Sequence, residues 1–197
     1  MRLLFVCTGN ECRSPMAEGL VRTWAREALG EEPEAAGVQV GSAGLAATPG
    51  RPVDPDSAAA VSRYGVHVDG FRSRLFVPRM AEEADLVLTM TRDQRRRVLN
   101  AVPRGLRRTF VLREAADLVH RADLSDLTGA TLDDRAARLA LRLDAARATG
   151  RPTADDDVVD PIGRPAPVHA EVAEAIATAL RPLADVLLRA QRTDRSG

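Results

Sequence analysis

The run Leu3-Leu4-Phe5-Val6-Cys7-Thr8-Gly9-Asn10-Glu11-Cys12-Arg13-Ser14-Pro15 decides how the chain is read. Its first four residues are apolar without alternation, as in a strand covered on both faces. Ser14 and Pro15 suit an N-cap and a first helical residue, so a helix is expected from that point. A strand, a short loop and a helix in that order gather backbone N–H groups and a helix N-terminus around one point, which makes an anion site. Cys7 stands at the end of the strand, beneath the loop, and Arg13 closes it. Amides, helix terminus and arginine together favour the thiolate of Cys7.

Around this stretch the composition narrows the function classes. The chain has 197 residues, enough for one domain with a sizeable core. Net charge is zero, with 28 basic and 28 acidic residues mixed along the chain, so no nucleic-acid footprint or polybasic anchor stands out. All the basic residues are arginine. No apolar run nears the roughly 20 residues of a membrane helix, and the apolar start is too short for a signal peptide. A cytoplasmic location is expected. Cys7 and Cys12 share one loop, which excludes a structural disulfide framework. The three histidines, His67, His120 and His169, show no metal-ligand spacing, so neither metal nor cofactor is expected.

In chain order, a helix is expected to about residue 29, a polar loop over 31–37 and a strand over 38–42. A Gly/Pro-rich turn follows over 44–52. Asp54-Pro55 caps a short helix, 65–75 is irregular, and Pro78 opens another short helix. A third strand spans 85–90, and Thr91 caps the next helix. Thr109-Phe110-Val111-Leu112 is a fourth, short strand leading into a helix to about 118. A strong helix is expected over 131–148, from its stripe of Leu132, Leu139 and Leu143. The acidic stretch with Asp155, Asp156 and Asp157 reads as a solvated loop. A last helix runs over about 168–188.

Strands alternating with helices imply an α/β fold: a single domain with a four-stranded parallel sheet and helices on both faces. The domain is placed at 1–190, with 119–154 as a helical insertion and 191–197 as a flexible tail. Ligands in such sheets bind beyond the strands' C-terminal ends, where Cys7, Ser42 and Thr89 fall.

The C-x5-R spacing from Cys7 to Arg13 lets six successive amides surround a phosphoryl dianion, while Arg13 adds a bidentate fork. The phosphate-binding residues are then Thr8, Gly9, Asn10, Glu11, Cys12, Arg13 and Ser14. Gly9 and Asn10 suit left-handed backbone positions. The Cys7 sulfur lies in line with the leaving group.

The run Cys7 to Glu18 resembles the signature of the low-molecular-weight protein tyrosine phosphatase family. Gly41-Ser42-Ala43-Gly44, Ala84 to Met90 and Asp160-Pro161 are similar to further segments of that family, so the resemblance spans most of the chain. It implies Cys7 as nucleophile, Arg13 as phosphate ligand and Asp160 as general acid, with Ser42 supporting Asn10. On the residues alone, Asp160 is one of several aspartates in its neighbourhood. Ser14 is expected to cap the helix and also to hydrogen-bond the Cys7 sulfur. Cys12 is either small filler in the loop or a redox partner able to resolve an oxidised Cys7 as a disulfide.

Several positions depart from the family pattern. Phe71 stands where the family often has a histidine bonded to the asparagine, which predicts a weaker supporting network, and His67 is read as a surface residue. Ile162-Gly163 follow Asp160-Pro161 where tyrosine-directed members place aromatics. Glu11 replaces an aliphatic residue of the tyrosine branch or a threonine of the arginine branch. A carboxylate there repels a phosphate dianion and suits a cationic substrate group, unless it only pairs with a surface arginine. The implied activity is a cysteine-dependent protein phosphatase acting on phosphotyrosine, through a phosphocysteine intermediate. The alternatives are a protein arginine phosphatase and a phosphate-binding regulatory module without turnover. Arsenate reductase is disfavoured, since no cysteine beyond Cys12 exists to relay a disulfide outward. The expected partners are a phosphorylated protein or a small phosphoester, with no nucleic acid and no membrane.

Overall fold

A computed structural model describes all residues except 35, 128–129, 149–155 and 189–197, together with all side chains of the described residues but that of Asp133. The expected 191–197 tail and Asp155 lie outside the described residues. Four strands, β1 (Arg2–Cys7), β2 (Gln39–Gly44), β3 (Leu86–Thr89) and β4 (Thr109–Val111), form one parallel sheet in the order β2-β1-β3-β4. β1 is therefore central, pairing Val6 with Ala43 on one side and with Thr89 on the other. Seven helices are described: α1 (Arg13–Leu29), α2 (Pro55–Ser62), α3 (Pro78–Glu83), α4 (Arg92–Ala101), α5 (Leu112–Arg121), α6 (Leu132–Arg147) and α7 (Ala166–Leu188).

The period of two in β1 splits the core. Leu3, Phe5 and Cys7 face a large cluster with Met16 and Leu20 of α1, Leu118 of α5, Leu139 and Leu143 of α6 and Ile176 of α7. Leu4 and Val6 face a smaller cluster with Ala81 of α3 and Val98 of α4. Each fully buried side chain of this size contributes roughly 1.5–3 kcal/mol through apolar burial. Both sheet faces are thus covered, as the unbroken apolar run of β1 demands.

Local signals set the other starts. Asp54 caps α2 by accepting the Ser57 N–H, with Pro55 as first helical residue. Thr91 and Gln94 form a reciprocal capping box at α4. Residues 119–121, inside the stretch expected as a helical insertion, complete α5. α6 is built into the large core. Its Arg147 Nε donates to Glu114 Oε1 at 2.8 Å and its guanidinium lies 4.0 Å over the Phe110 ring. Among the described residues, no helix is long and apolar enough to cross a membrane.

Candidate active site

β1 delivers Cys7 to the C-terminal edge of the sheet, and residues 8–12 bend back so that α1 begins at Arg13. Asn10 takes the left-handed conformation, at φ 56°. That turn places its own backbone N–H on Cys7 Sγ at 3.2 Å. Gly44, at the end of β2, lies directly against the loop. A Cβ there would sit 2.6 Å from Thr8 O and 2.8 Å from Asn10 N, so only glycine allows this approach. Leu45 and Ala46 N–H then hold the carbonyls of Cys7 and Thr8 at 3.0 and 2.9 Å.

Beneath the loop runs a directed hydrogen-bond chain. Arg74 N–H donates to Asn10 Oδ1 at 2.8 Å, which turns the Asn10 amide nitrogen toward two hydroxyls. It donates to Ser42 Oγ at 2.8 Å and to Ser14 Oγ at 2.9 Å. The Ser42 hydroxyl donates to Glu18 Oε2 at 2.6 Å. Ser14 Oγ lies 2.9 Å from Cys7 Sγ, and the Asn10 donation leaves the Ser14 proton free for the sulfur. Asn10, Ser14, Ser42 and the Cys7 sulfur are all buried. Two donors thus converge on Cys7 from below and from the loop.

Arg13 is almost wholly buried. Its Nη1 donates to Val158 O at 3.0 Å and its Nη2 makes a direct ion pair with Asp160 Oδ2. Its buried Nε makes no hydrogen bond among the described residues, so a donor is left for an oxyanion. The Asp160 side chain is 42% exposed, and Val158 N–H on Met90 O at 2.8 Å ties this segment to the end of β3. The structure therefore brings Cys7, Arg13 and Asp160 to one edge of the sheet, from opposite ends of the sequence. Thr8 Oγ1 accepts from Gln94 Nε2 at 3.0 Å. Glu11 is half-buried, with Oε2 3.6 Å from Arg51 Nε.

Four expectations are corrected. Ser14 is not the N-cap: the helix starts two residues earlier, Cys12 holds the cap position without a side-chain bond, and the Ser14 hydroxyl is spent on Cys7. Phe71 does not leave the asparagine's acceptor empty, because the backbone amide of Arg74 donates to it. Ser42 lies inside β2, two residues before its end. Within the acidic stretch Asp156 is buried rather than solvated, while Asp157 is exposed, as expected, and accepts the Arg92 N–H at 2.8 Å. His67 is exposed, as expected.

Sequence reasoning missed Glu18, Gln94 and the surroundings of Cys12. Glu18 stood inside the quoted signature with no role assigned, and Gln94 had a signal in its capping-box spacing to Thr91. Cys12 is buried beside Ser57, Asp54 and His169. Burial pushes its thiol up to about 12, partly offset by the Ser57 hydrogen bond and reinforced by the charges of Asp54 and Asp160. At neutral pH Cys12 is a protonated thiol. His169 Nδ1 lies 2.8 Å from Ser57 Oγ and 3.4 Å from Asp54 Oδ1. Nothing in the local sequence of His169 signals this meeting.

The sequence profile of low molecular weight phosphotyrosine protein phosphatases matches residues 2–129. Asp160 lies beyond that match. The protein-arginine-phosphatase of Bacillus subtilis is 35% identical over 133 residues, 68% of this chain and 83% of the relative. Arsenate reductase 2 of Staphylococcus haemolyticus is 35% identical over 91 residues, 46% of this chain and 60% of the relative. Among solved structures, a mutant of the arginine phosphatase YwlE with a phosphorylated active-site serine superposes with a TM-score of 0.66 at 27% identity. That match covers 99% of this chain and 98% of the other.

Proposed function

The chain belongs to the low molecular weight phosphotyrosine protein phosphatase family, and we propose that it hydrolyses phosphorylated protein side chains through a phosphocysteine intermediate at Cys7. The observation that carries the reading is the pair of donors on the Cys7 sulfur, Asn10 N–H at 3.2 Å and Ser14 Oγ at 2.9 Å. They are the hydrogen bonds a thiolate accepts at the floor of an amide-lined loop.

The chemistry then runs in two steps. The Cys7 thiolate attacks phosphorus, and a sulfur–phosphorus bond forms as the bond to the leaving oxygen or nitrogen breaks. Asp160 gives that atom its proton. Arg13 and the amides of residues 8–14, Ser14 included, take the charge on the non-bridging oxygens. Asp160, now a carboxylate, removes a proton from water as the water attacks the phosphocysteine. Inorganic phosphate leaves and the thiolate is restored. Ser42 supports the site through Asn10, and Cys12, the loop's second thiol, is taken as the redox partner able to resolve an oxidised Cys7. No step uses a metal or cofactor.

The family's name implies phosphotyrosine. Phosphoarginine is the second reading, favoured by the similarity to an arginine phosphatase and by the residues that flank the acid: Ile162 is 52% exposed and Gly163 carries no side chain. Among the 197 residues only Cys7 and Cys12 are cysteines, too few for the disulfide relay of an arsenate reductase. The substrate is taken to be a phosphorylated protein or small phosphoester met in the cytoplasm, with no nucleic acid or membrane involved.

The test is turnover of para-nitrophenyl phosphate, phosphotyrosyl peptide and phosphoarginyl protein by the wild type, Cys7→Ser and Asp160→Ala. Wild-type hydrolysis lost in Cys7→Ser is expected. Activity that survives that substitution refutes the mechanism, and phosphate binding without turnover identifies a regulatory module.

A further inference from the structure

Beside the phosphate loop, three side chains from three separate elements converge. Cys12 lies at the start of α1, Asp54 at the start of α2 and His169 in the first turns of α7. Their ligand atoms, Cys12 Sγ, one Asp54 carboxylate oxygen and His169 Nδ1, all lie within 4.8 Å of one another. From this convergence we propose that Cys12, Asp54 and His169 form a binding site for a thiophilic divalent cation, with Zn²⁺ as the fitting ion.

The donor set itself selects the ion. A thiolate, an imidazole and a carboxylate are the ligands of zinc, whereas calcium and magnesium take oxygen alone. Bonds of about 2.0–2.3 Å in a tetrahedron put ligand atoms roughly 3.3–3.8 Å apart. The His169 Nδ1 to Asp54 Oδ1 separation of 3.4 Å is already in that range. Ser57 Oγ lies 2.8 Å from the same nitrogen, a hydrogen bond that the nitrogen exchanges for the ion on binding. Charge closes as well. On binding, Cys12 releases its proton to solvent, so a dication, a thiolate and a carboxylate sum to zero. No net charge is left buried beside the loop.

The surroundings favour a built site over a chance meeting. Cys12 and His169 are buried, so their orientations are fixed by packing. Asp54 is held as the cap of α2, and its N–H donates to Glu11 O at 2.8 Å, so the same residue joins the ligand set to the phosphate loop. Its side chain is 21% exposed and gives the ion a way in from solvent. Occupancy fastens α1, α2 and α7 together under the loop and withdraws Cys12 from thiol chemistry.

The test uses the full chain, reduced without added thiols, and Co²⁺ as an optical probe displaced by Zn²⁺. One equivalent of Co²⁺ is expected to give a thiolate-to-cobalt charge-transfer absorption that Zn²⁺ removes. The band is lost in Cys12→Ser and kept in Cys7→Ser. Asp54→Asn keeps a capping side chain and His169→Asn keeps a polar one. Each lowers Co²⁺ affinity by more than the roughly 10–100-fold that loss of an outer-shell partner costs. Thermal unfolding checks that each variant is folded, and the Asn variants decide the matter if Cys12→Ser is not. A band that is absent from the folded wild type, that survives Cys12→Ser, or that disappears with Cys7→Ser overturns the proposal. So does unchanged affinity in folded Asp54→Asn and His169→Asn. None of these outcomes depends on turnover, so a failed phosphatase assay and a failed metal site are separate results.

Discussion

The backbone N–H of Arg74 donates to the side-chain oxygen of Asn10 at 2.8 Å, across 64 residues of sequence. That bond fixes which end of the amide faces the hydroxyls, and so orients the chain that runs from Glu18 through Ser42 and Asn10 to Ser14 and Cys7. Asn10 also holds a left-handed backbone. Asn10→Ala loses three side-chain hydrogen bonds, two of them buried, and adds left-handed strain of about 1–2 kcal/mol. Asn10→Gly loses only the bonds. Denaturant unfolding is therefore expected to rank wild type above Asn10→Gly and Asn10→Gly above Asn10→Ala. Both variants lose turnover. Equal stability of the two would show that the backbone conformation carries no strain.

Gly44 tests the fit between β2 and the loop. A methyl group there meets Thr8 O and Asn10 N, which are backbone atoms and cannot rotate away. Gly44→Ala is expected to destabilise by about 1–3 kcal/mol through overpacking and to lower kcat/KM as the loop amides shift. A variant with normal turnover would mean that the loop tolerates displacement.

What was legible in the sequence, and what was not, divides along the range of the interactions. The strand, loop and helix around Cys7 are set by neighbours in the chain: the apolar run to Val6, the left-handed turn at Asn10 (expected at Gly9 as well, which does not adopt it), Pro15 early in the helix. Asp54-Pro55 and Thr91 with Gln94 are equally local. The substitution of the Arg74 amide for a histidine at Phe71 was not legible, because a backbone donor has no sequence signature. Nor was the meeting of Cys12 and Asp54 with His169, which stands 112 residues beyond Ser57 and is delivered only by the packing of α7 on α2. Burial misled at Asp156, where a run of acids read as solvated.

Arg13 and Asp160 are paired directly, and Arg13 also binds Val158 O at 3.0 Å. Lysine keeps the charge but not the planar fork. Arg13→Lys is expected to lower kcat by roughly 10²–10³-fold, as loss of a transition-state donor does. Steady-state kinetics on para-nitrophenyl phosphate measures it. A change confined to KM would assign Arg13 to ground-state binding only.

Glu11 lies 3.6 Å from an Arg51 side chain that is 62% exposed, so the pair is screened and leaves the carboxylate's charge only partly compensated. Removing the charge in Glu11→Ile is expected to raise kcat/KM for phosphotyrosine relative to phosphoarginine by about fivefold, or about 1 kcal/mol. An unchanged ratio removes Glu11 from substrate choice.

Cys12 predicts an alkaline weakness. Burial raises its thiol from 9.0 to about 12 in the folded protein. Below pH 9 both folded and unfolded chains hold the proton, so this group adds no pH dependence. Above it the unfolded chain ionises first and binds fewer protons, and stability falls with rising pH until the folded thiol also ionises. Relative to Cys12→Ala, the wild type is expected to lose about 1.4 kcal/mol of unfolding free energy by about pH 10. Urea unfolding of both proteins from about pH 8 to about pH 10 isolates the difference, since every other titrating group is shared. Parallel curves would mean that the folded thiol ionises as freely as in the unfolded chain.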